Sequence, residues 1–204
     1  MARPREFDDE AALDAAVQCF WEQGYEATSV RDLAARMGIT GASLYNAFGD
    51  KRSLYRRSLD FYVERSFRER ARRLGGRLPP RDAIIAFFRE IIERSLGDAK
   101  ARGCLMVNSA LEAGPRDPEF RAVVANALGQ IEAFFCRSAA AGQRDGTIPL
   151  THSAEDLGRF LLSVLLGIRV LARTAPERNQ LEGALRPVLA LLGSNENQER
   201  ALTQ

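Results

Sequence analysis

Apolar residues recur at helical spacing along nearly the whole chain, and no segment alternates as a half-buried strand does. The first predicted helix begins after Asp8, carries Asp9 and Glu10 in its first turn, and ends at Gly24. Its buried stripe consists of Leu13, Val17, Phe20 and Trp21. The pattern therefore predicts an all-α protein.

A short second helix is predicted from Ser29 to Met37. Thr28 or Ser29 can cap its start, and Asp32 stands three residues after Ser29, as a capping box requires. Gly38 suits the left-handed position that ends a helix. A tight turn is therefore expected directly after Met37.

A third helix is predicted to begin after Thr40, a good N-cap, and to end near Phe48. Its inner face is Leu44, Ala47 and Phe48. The opposite edge carries small or hydrogen-bonding residues, namely Thr40, Gly41, Ala42, Ser43, Tyr45 and Asn46. Two short helices joined by a glycine-containing turn indicate a helix-turn-helix unit, whose second helix enters the major groove of DNA.

The span from Gly24 to Leu54 resembles the DNA-binding domain of the TetR family of bacterial transcriptional repressors. The matching positions are Gly24, Tyr25, Thr28, Ser29, Val30, Leu33, Ala34, Gly38, Ile39, Thr40, Ser43, Leu44, Tyr45, Phe48, Lys51 and Leu54. Gly41 and the Asn46-Ala47 pair depart from the family pattern on the edge that reads DNA. The resemblance implies a homodimer that binds a palindromic double-stranded operator and is released by a small molecule.

The residues expected to contact DNA come from the predicted helix-turn-helix unit and the start of the next helix. They are Thr28, Ser29, Thr40, Gly41, Ala42, Ser43, Tyr45, Asn46 and Lys51. Asn46 can bond an adenine edge, and Lys51 is expected to meet a phosphate together with local N–H groups. Arg3 and Arg5 either reach into the minor groove or belong to a solvated terminus.

The glycine and proline pairs predict the domain organisation. A three-helix head is expected over residues 1–50, with its motif at about 29–48 and a connecting helix to about residue 74. Gly75-Gly76 and Pro79-Pro80 end that helix. A larger helical body for ligand binding and dimerisation is expected over residues 78–192, followed by a polar tail over 193–204.

A helix predicted from Ser153 to Thr174 is apolar on almost every side, whereas a surface helix keeps a polar face. The resemblance implies that the last two helices pair with their copies in a dimer. The expected interface residues are Leu162, Leu166, Gly167, Val170 and Leu189. The alternative is a helix at the centre of a monomeric body.

A ligand pocket between body helices is expected to use Phe87, Phe88, Cys104, Asn108, Leu111, Phe134 and Phe160. Cys104 also follows Lys100 and Arg102 near a predicted helix start, a setting that favours a reactive thiolate. A second hypothesis therefore replaces the ligand by thiol chemistry at Cys104. In the alternative interpretation this cysteine only packs.

The composition of the chain excludes several classes of function but does not by itself indicate DNA binding. The formal net charge is only +2, so bulk charge does not indicate nucleic acid, and the positive charge is local to Lys51, Arg52, Arg56 and Arg57. Three widely spaced cysteines give neither a disulfide framework nor a metal motif and suit a reducing cytoplasm. With one histidine and no catalytic constellation, we expect neither an enzyme nor a metal or other cofactor.

Overall fold

The computed structural model describes residues 8–174 and 176–193, and the regular elements within these ranges are all helices. This confirms the predicted all-α class. The α-helices are α1 (Asp9–Gln23), α2 (Val30–Met37), α3 (Gly41–Phe48), α4 (Lys51–Val63), α5 (Glu69–Gly75), α6 (Pro80–Leu96), α7 (Leu105–Glu112), α8 (Pro118–Arg144), α9 (Ala154–Leu171) and α10 (Arg178–Leu191). The expected arm with Arg3 and Arg5 and the tail beyond residue 193 lie outside the described residues.

Local sequence signals account for most helix ends. The Asp8 side chain caps α1 by accepting a hydrogen bond from the backbone N–H of Glu10. The Ser153 side chain caps α9 by accepting one from the backbone N–H of Asp156. Helix α6 begins at Pro80, and proline suits the first turn of a helix. Between α4 and α5 a π-helical turn spans Glu64–Arg68.

The chain divides into two compact units. The first comprises residues 8–68 together with Cys104–Ala127, and the second comprises Glu69–Gly103 and the described residues from Leu128 to Gly193. Helix α7 and the start of α8 therefore fall in the same unit as the first four helices.

An aromatic cluster forms the core of the first unit where α1, α4 and the start of α8 meet. The rings of Phe20, Tyr25 and Phe120 surround Tyr55 at centroid distances of 4.8, 4.6 and 5.0 Å. Burial raises the pKa of Tyr55 to about 12, although a hydrogen bond with Ser109 opposes that shift. The cluster explains why α7 and α8 group with α4: Ser109 and Phe120 both contact Tyr55.

Four phenylalanines form the core of the second unit. The rings of Phe88 and Phe135 are stacked at 5.5 Å, and Phe87 lies 5.5 Å from Phe134. Phe87 and Phe88 are buried, which is the ordinary packing of large aromatic side chains. Arg81 is also buried in this unit and donates to the carbonyl of Leu192 at 3.0 Å.

The apolar helix α9 is covered on one face only. Leu161, Leu165 and Ile168 are buried, whereas the side chains of Phe160 and Val170 are 38% and 48% exposed. A Cβ atom added at Gly158 would clash with the Sγ of Cys136 on α8, so that glycine permits close helix approach. No helix within residues 8–174 and 176–193 is long and apolar enough to span a membrane.

Candidate nucleic-acid interface

The predicted capping box at the start of α2 is present. The Oγ of Ser29 accepts from the backbone N–H of Asp32 at 3.1 Å, and the Asp32 carboxylate accepts from the backbone N–H of Ser29 at 3.0 Å. Hydrogen bonds from Ser29 lower the pKa of Asp32. The Ser29 hydroxyl is therefore already used within the protein, where it fixes the start of α2.

Glycine and threonine then set the geometry between α2 and α3. Gly38 adopts the left-handed conformation (φ 67°), and its N–H bonds the last turn of α2. Thr40 caps α3, since its Oγ1 accepts from the backbone N–H of Ser43 at 3.1 Å. Leu44 and Phe48 are fully or almost fully buried, which orients the opposite edge of α3 outward.

The outward edge of α3 is polar, small and accessible. Tyr45 is 53% exposed, and Thr40, Ala42 and Asn46 are also exposed. A Cβ atom added at Gly41 would meet nothing within 4 Å. Within the described chain, the Tyr45 and Asn46 side chains have no hydrogen-bonding partner, so their donors and acceptors are available to a ligand. A helix edge of this kind can approach base edges closely.

Thr28 does not belong to this accessible edge. Its side chain is 1% exposed, and its hydroxyl donates to the carbonyl of Gly24. The DNA contact of Thr28 stays a prediction, and with its side chain buried such a contact falls to the backbone of this residue. The threonine side chain closes the turn between α1 and α2.

Lys51 begins α4 as predicted, but its ammonium is engaged within the protein. Its ammonium lies 4.4 Å from the centre of the Tyr25 ring and donates to the carbonyls of Tyr25 and Thr28, both at 2.8 Å, and of Glu26 at 3.4 Å. These three acceptors match the three N–H donors of an ammonium. The charge that was expected at a phosphate is thus used in this structure to hold the turn between α1 and α2.

The neighbouring arginines are engaged as well. Arg52 donates to both carboxylate oxygens of Asp117, at 2.8 and 3.1 Å, and lowers the pKa of that carboxyl. Arg52 and Arg56 both pair with Glu119. Arg57 donates to the carbonyl of Ala47 at the end of α3. Two of the four cations in the local basic region predicted from sequence, Arg52 and Arg56, therefore pair with carboxylates near the start of α8, which no local motif indicated.

The residues expected to line a ligand pocket have several different environments. Phe87, Phe88 and Phe134 pack together in the core of the second unit, and Cys104 and Asn108 are half-buried in the first. Leu111 is 73% exposed and Phe160 is 38% exposed. Leu111 and Phe160 therefore do not line an enclosed cavity in the described chain, because both face outward.

A groove of about 350 Å³ lies between α6 and α10 in the second unit. Ile92, Leu185 and Leu189 supply its apolar part. Its charged lining consists of Arg89, Arg178 and Arg186 and the carboxylates of Glu93 and Glu182. A second groove, of about 370 Å³, includes Phe134 among its lining residues. Volumes of this size are at the lower end of small-molecule sites.

The geometry defines a helix-turn-helix DNA-binding protein with an appended helical body. Residues 12–57 match the family described as "Bacterial regulatory proteins, tetR family", and residues 80–188 match "Tetracyclin repressor-like, C-terminal domain". The chain belongs to the TetR family, a family of DNA-binding transcriptional regulators, which confirms the resemblance of the Gly24–Leu54 span.

Two similar proteins match this chain over most of their length, and both are transcriptional regulators. The chain is 30% identical to the HTH-type transcriptional repressor ComR of Escherichia coli (strain K12), covering 88% of this chain and 86% of ComR. It is 29% identical to the HTH-type transcriptional regulator YezE of Bacillus subtilis (strain 168), covering 94% and 100%. These relatives are regulators, in agreement with the expectation that the chain is not an enzyme.

The fold also matches that of a regulator whose structure was determined in complex with DNA. A cysteine mutant of the TetR family transcriptional regulator CifR, complexed with 26bp double-strand operator DNA, superposes with a TM-score of 0.80. The two chains are 34% identical, and the match covers 90% of this chain and 98% of CifR.

The position of Lys51 generates a prediction about stability without DNA. Replacing Lys51 with Met should lower the free energy of unfolding by about 1–3 kcal/mol, because it leaves carbonyls of the turn without a charged donor. Urea denaturation of the DNA-free protein measures this. Arg56→Met is the matched control, and it should cost less than about 1 kcal/mol because its ion pair is exposed. An equal loss from both variants would contradict the assigned role of Lys51.

Proposed function

We propose that this protein is a homodimeric transcriptional repressor that binds a palindromic operator and is released by a small effector. The observation that carries the proposal is the outward edge of α3, where Tyr45 and Asn46 stand exposed beside small residues. The repressor ComR and the DNA-bound CifR support it by similarity. A regulator of this kind acts on chromosomal DNA, and we therefore infer a cytoplasmic location.

The roles of the α3 residues follow from their chemistry. The amide of Asn46 can donate and accept toward the N6 and N7 atoms of adenine, which makes it a base-reading group. The hydroxyl of Tyr45 suits a phosphate oxygen, and phosphate contacts fix the register without reading sequence. Ala42 can contact a thymine methyl, and Gly41 removes the bulk that would hold the helix away.

Selection from a random duplex library tests this function. We expect enrichment of a two-fold symmetric motif whose affinity falls by orders of magnitude between about 50 and 200 mM salt. Tyr45→Ala should weaken binding to all duplexes, whereas Asn46→Ala should reduce the preference among sequences by about 1–3 kcal/mol at one position. Leu150→Ala is the control, because this residue is 81% exposed and lies outside both α3 and α9. Enrichment of no two-fold motif would overturn the proposal.

The uncovered face of α9 supports the dimer. Phe160 and Val170 are exposed there, Leu162 and Leu166 are half-buried, and Gly167 has open space around it. Apolar residues left in contact with water along one helix favour burial against a second copy. Leu189 on α10 is half-buried and stays a predicted interface residue.

Gly167 allows a matched test of the dimer. Gly167→Trp should produce a monomer of about 22.6 kDa at micromolar concentration, because the indole would hold two α9 helices apart. Gly129→Trp is the control, since a Cβ atom there also meets nothing within 4 Å but lies on α8. Light scattering measures both masses. A wild-type protein that is monomeric, or a Gly167→Trp variant that remains dimeric, would contradict the interface.

Effector release needs a site in the body, and the groove between α6 and α10 is one candidate. Its apolar residues Leu185 and Leu189, with an excess of one cation because three arginines face the carboxylates of Glu93 and Glu182, suit a small molecule with an apolar part and a negative charge. An effector releases DNA only if it binds better to the conformation that fits the operator less well.

Thiol chemistry at Cys104 is the second candidate for release. Cys104 occupies the N-cap position of α7, is half-buried, and accepts a hydrogen bond from the hydroxyl of Tyr62 at 3.7 Å. A bulky group attached to its Sγ would displace that hydroxyl and with it the packing of α7 against α4. In the alternative interpretation Cys104 is a packing residue only.

Alkylation distinguishes these two interpretations. Treating the operator complex with iodoacetamide should release DNA from wild-type protein but not from a Cys104→Ser variant, with mass spectrometry confirming the labelled residue. Cys136→Ser, which removes another half-buried thiol, should respond like wild type. Equal release from wild type and Cys104→Ser, or a Cys104 left unlabelled in the folded state, would leave it a packing residue.

A further inference from the structure

The turn between α1 and α2, residues 24–28, is held by opposite charges. The Lys51 ammonium donates to the carbonyls of Tyr25 and Thr28, as described above. From α7, the carboxylate of Glu112 accepts a hydrogen bond from the backbone N–H of Glu26, with 2.9 Å between nitrogen and Oε1. A cation therefore binds the carbonyls of the turn, while an anion binds one of its N–H groups.

Gly24 provides independent evidence that the carboxylate has a built position. This residue has φ 84°, and an added Cβ atom would lie only 2.7 Å from Oε2 and 2.8 Å from Oε1 of Glu112. The turn therefore needs glycine for two reasons, the backbone conformation and the space that the carboxylate occupies. A side chain at residue 24 and the present position of the Glu112 carboxylate are mutually exclusive.

Helix α7 is anchored on the same face by Ser109. The Ser109 hydroxyl donates to the carbonyl of Leu105 and lies 2.7 Å from the hydroxyl of Tyr55. Because a serine hydroxyl has a single hydrogen, Tyr55 is the donor to Ser109. Ser109 and Glu112 are three residues apart and therefore share one face of the helix. Through these two residues α7 bonds both α4 and the turn.

We propose that Glu112 is a positioning residue for DNA reading, an inference that rests on the proposed function. The turn ends at the cap of α2, and the capping box and Gly38 fix α2 relative to α3. A shift of α7 that separates the Glu112 carboxylate from the N–H of Glu26 therefore frees the start of the helix-turn-helix unit. Glu112 itself touches no DNA in this arrangement.

The alternative is that Glu112 contributes to stability without affecting recognition. A second alternative is that Glu112 acts through its charge alone and not through its hydrogen bond. Charges do meet near this turn, because Arg116 lies 3.5 Å from the exposed Glu26 carboxylate. Two variants separate the acceptor from the charge. Glu112→Gln keeps a carbonyl oxygen that can accept from the Glu26 N–H, whereas Glu112→Ala removes both the acceptor and the charge.

The first measurement is amide hydrogen exchange in the DNA-free protein. We expect the exchange of the Glu26 N–H to rise about tenfold or more in Glu112→Ala, since a hydrogen bond to a carboxylate is lost. Glu112→Gln should stay closer to wild type. Leu111→Ala is the matched control, because this adjacent residue of α7 is 73% exposed and should leave the Glu26 N–H unchanged.

The second measurement is the ratio of affinities for two duplexes, the one selected by wild-type protein and a scrambled version. Glu112→Ala should reduce this ratio about tenfold while its affinity for the scrambled duplex is unchanged, because phosphate binding does not need an exact helix pose. Circular dichroism and thermal melting confirm that each variant is folded.

The outcomes are distinct. A lower melting temperature in Glu112→Ala, with wild-type exchange of the Glu26 N–H and a wild-type affinity ratio, would assign Glu112 to stability and overturn the proposal. If wild-type protein prefers no duplex, the proposed function fails. The exchange measurement then decides by itself whether Glu112 holds the turn.

Discussion

The bonds from the Lys51 ammonium to the carbonyls of the α1–α2 turn are the contacts on which the DNA-binding unit depends. A turn between two helices leaves backbone groups without helical partners, and such groups must be satisfied elsewhere. Lys51 is the first residue of α4, so its charge ties the start of that helix to the entry of α2. The buried Thr28 hydroxyl closes the same turn internally. The pose of α3 follows, because the Ser29–Asp32 box and Gly38 join the turn to α3 with little freedom.

Near α3, Arg52 and Arg56 form ion pairs with carboxylates, so the surface around this helix is not uniformly positive. Arg52 is bound by Asp117, and Arg56 by Glu119, so these cations carry partners before any DNA arrives. Exposed ion pairs of this kind contribute little to stability. They do reduce the field that a phosphate backbone would otherwise meet, in keeping with a net charge of only +2. Recognition in the proposed function therefore depends on the shape and hydrogen-bonding groups of the α3 edge more than on bulk attraction.

The sequence predicted those features whose causes are local. Capping by Ser29 and Asp32 and the left-handed Gly38 each depend on residues within a few positions, and all were confirmed. The role of Lys51 was not predicted, because its acceptors are carbonyls more than twenty residues earlier and carbonyls have no sequence signature. Glu112 lies 86 residues from Glu26, so its place at the turn depends on packing that periodicity does not encode. The family resemblance predicted the class of protein correctly, whereas the phosphate contact expected from the place of Lys51 at a helix start stays a prediction for a lysine that is engaged within the protein.

For helix α9, the sequence pattern predicted apolar residues on almost every side, and the described chain covers only one of those sides. Its near-continuous apolar run indicated burial on two sides, and in the described chain one side is covered while Phe160 and Val170 face outward. In the proposed dimer, a second copy of the chain covers this outward face. The α3 edge of one chain offers only a few groups to base pairs, whereas two edges related by a two-fold axis double the contacts and require a fixed half-site spacing. In the proposed dimer the body sets this half-site spacing, so we expect an event that changes how two α9 helices pack to change operator affinity without touching α3.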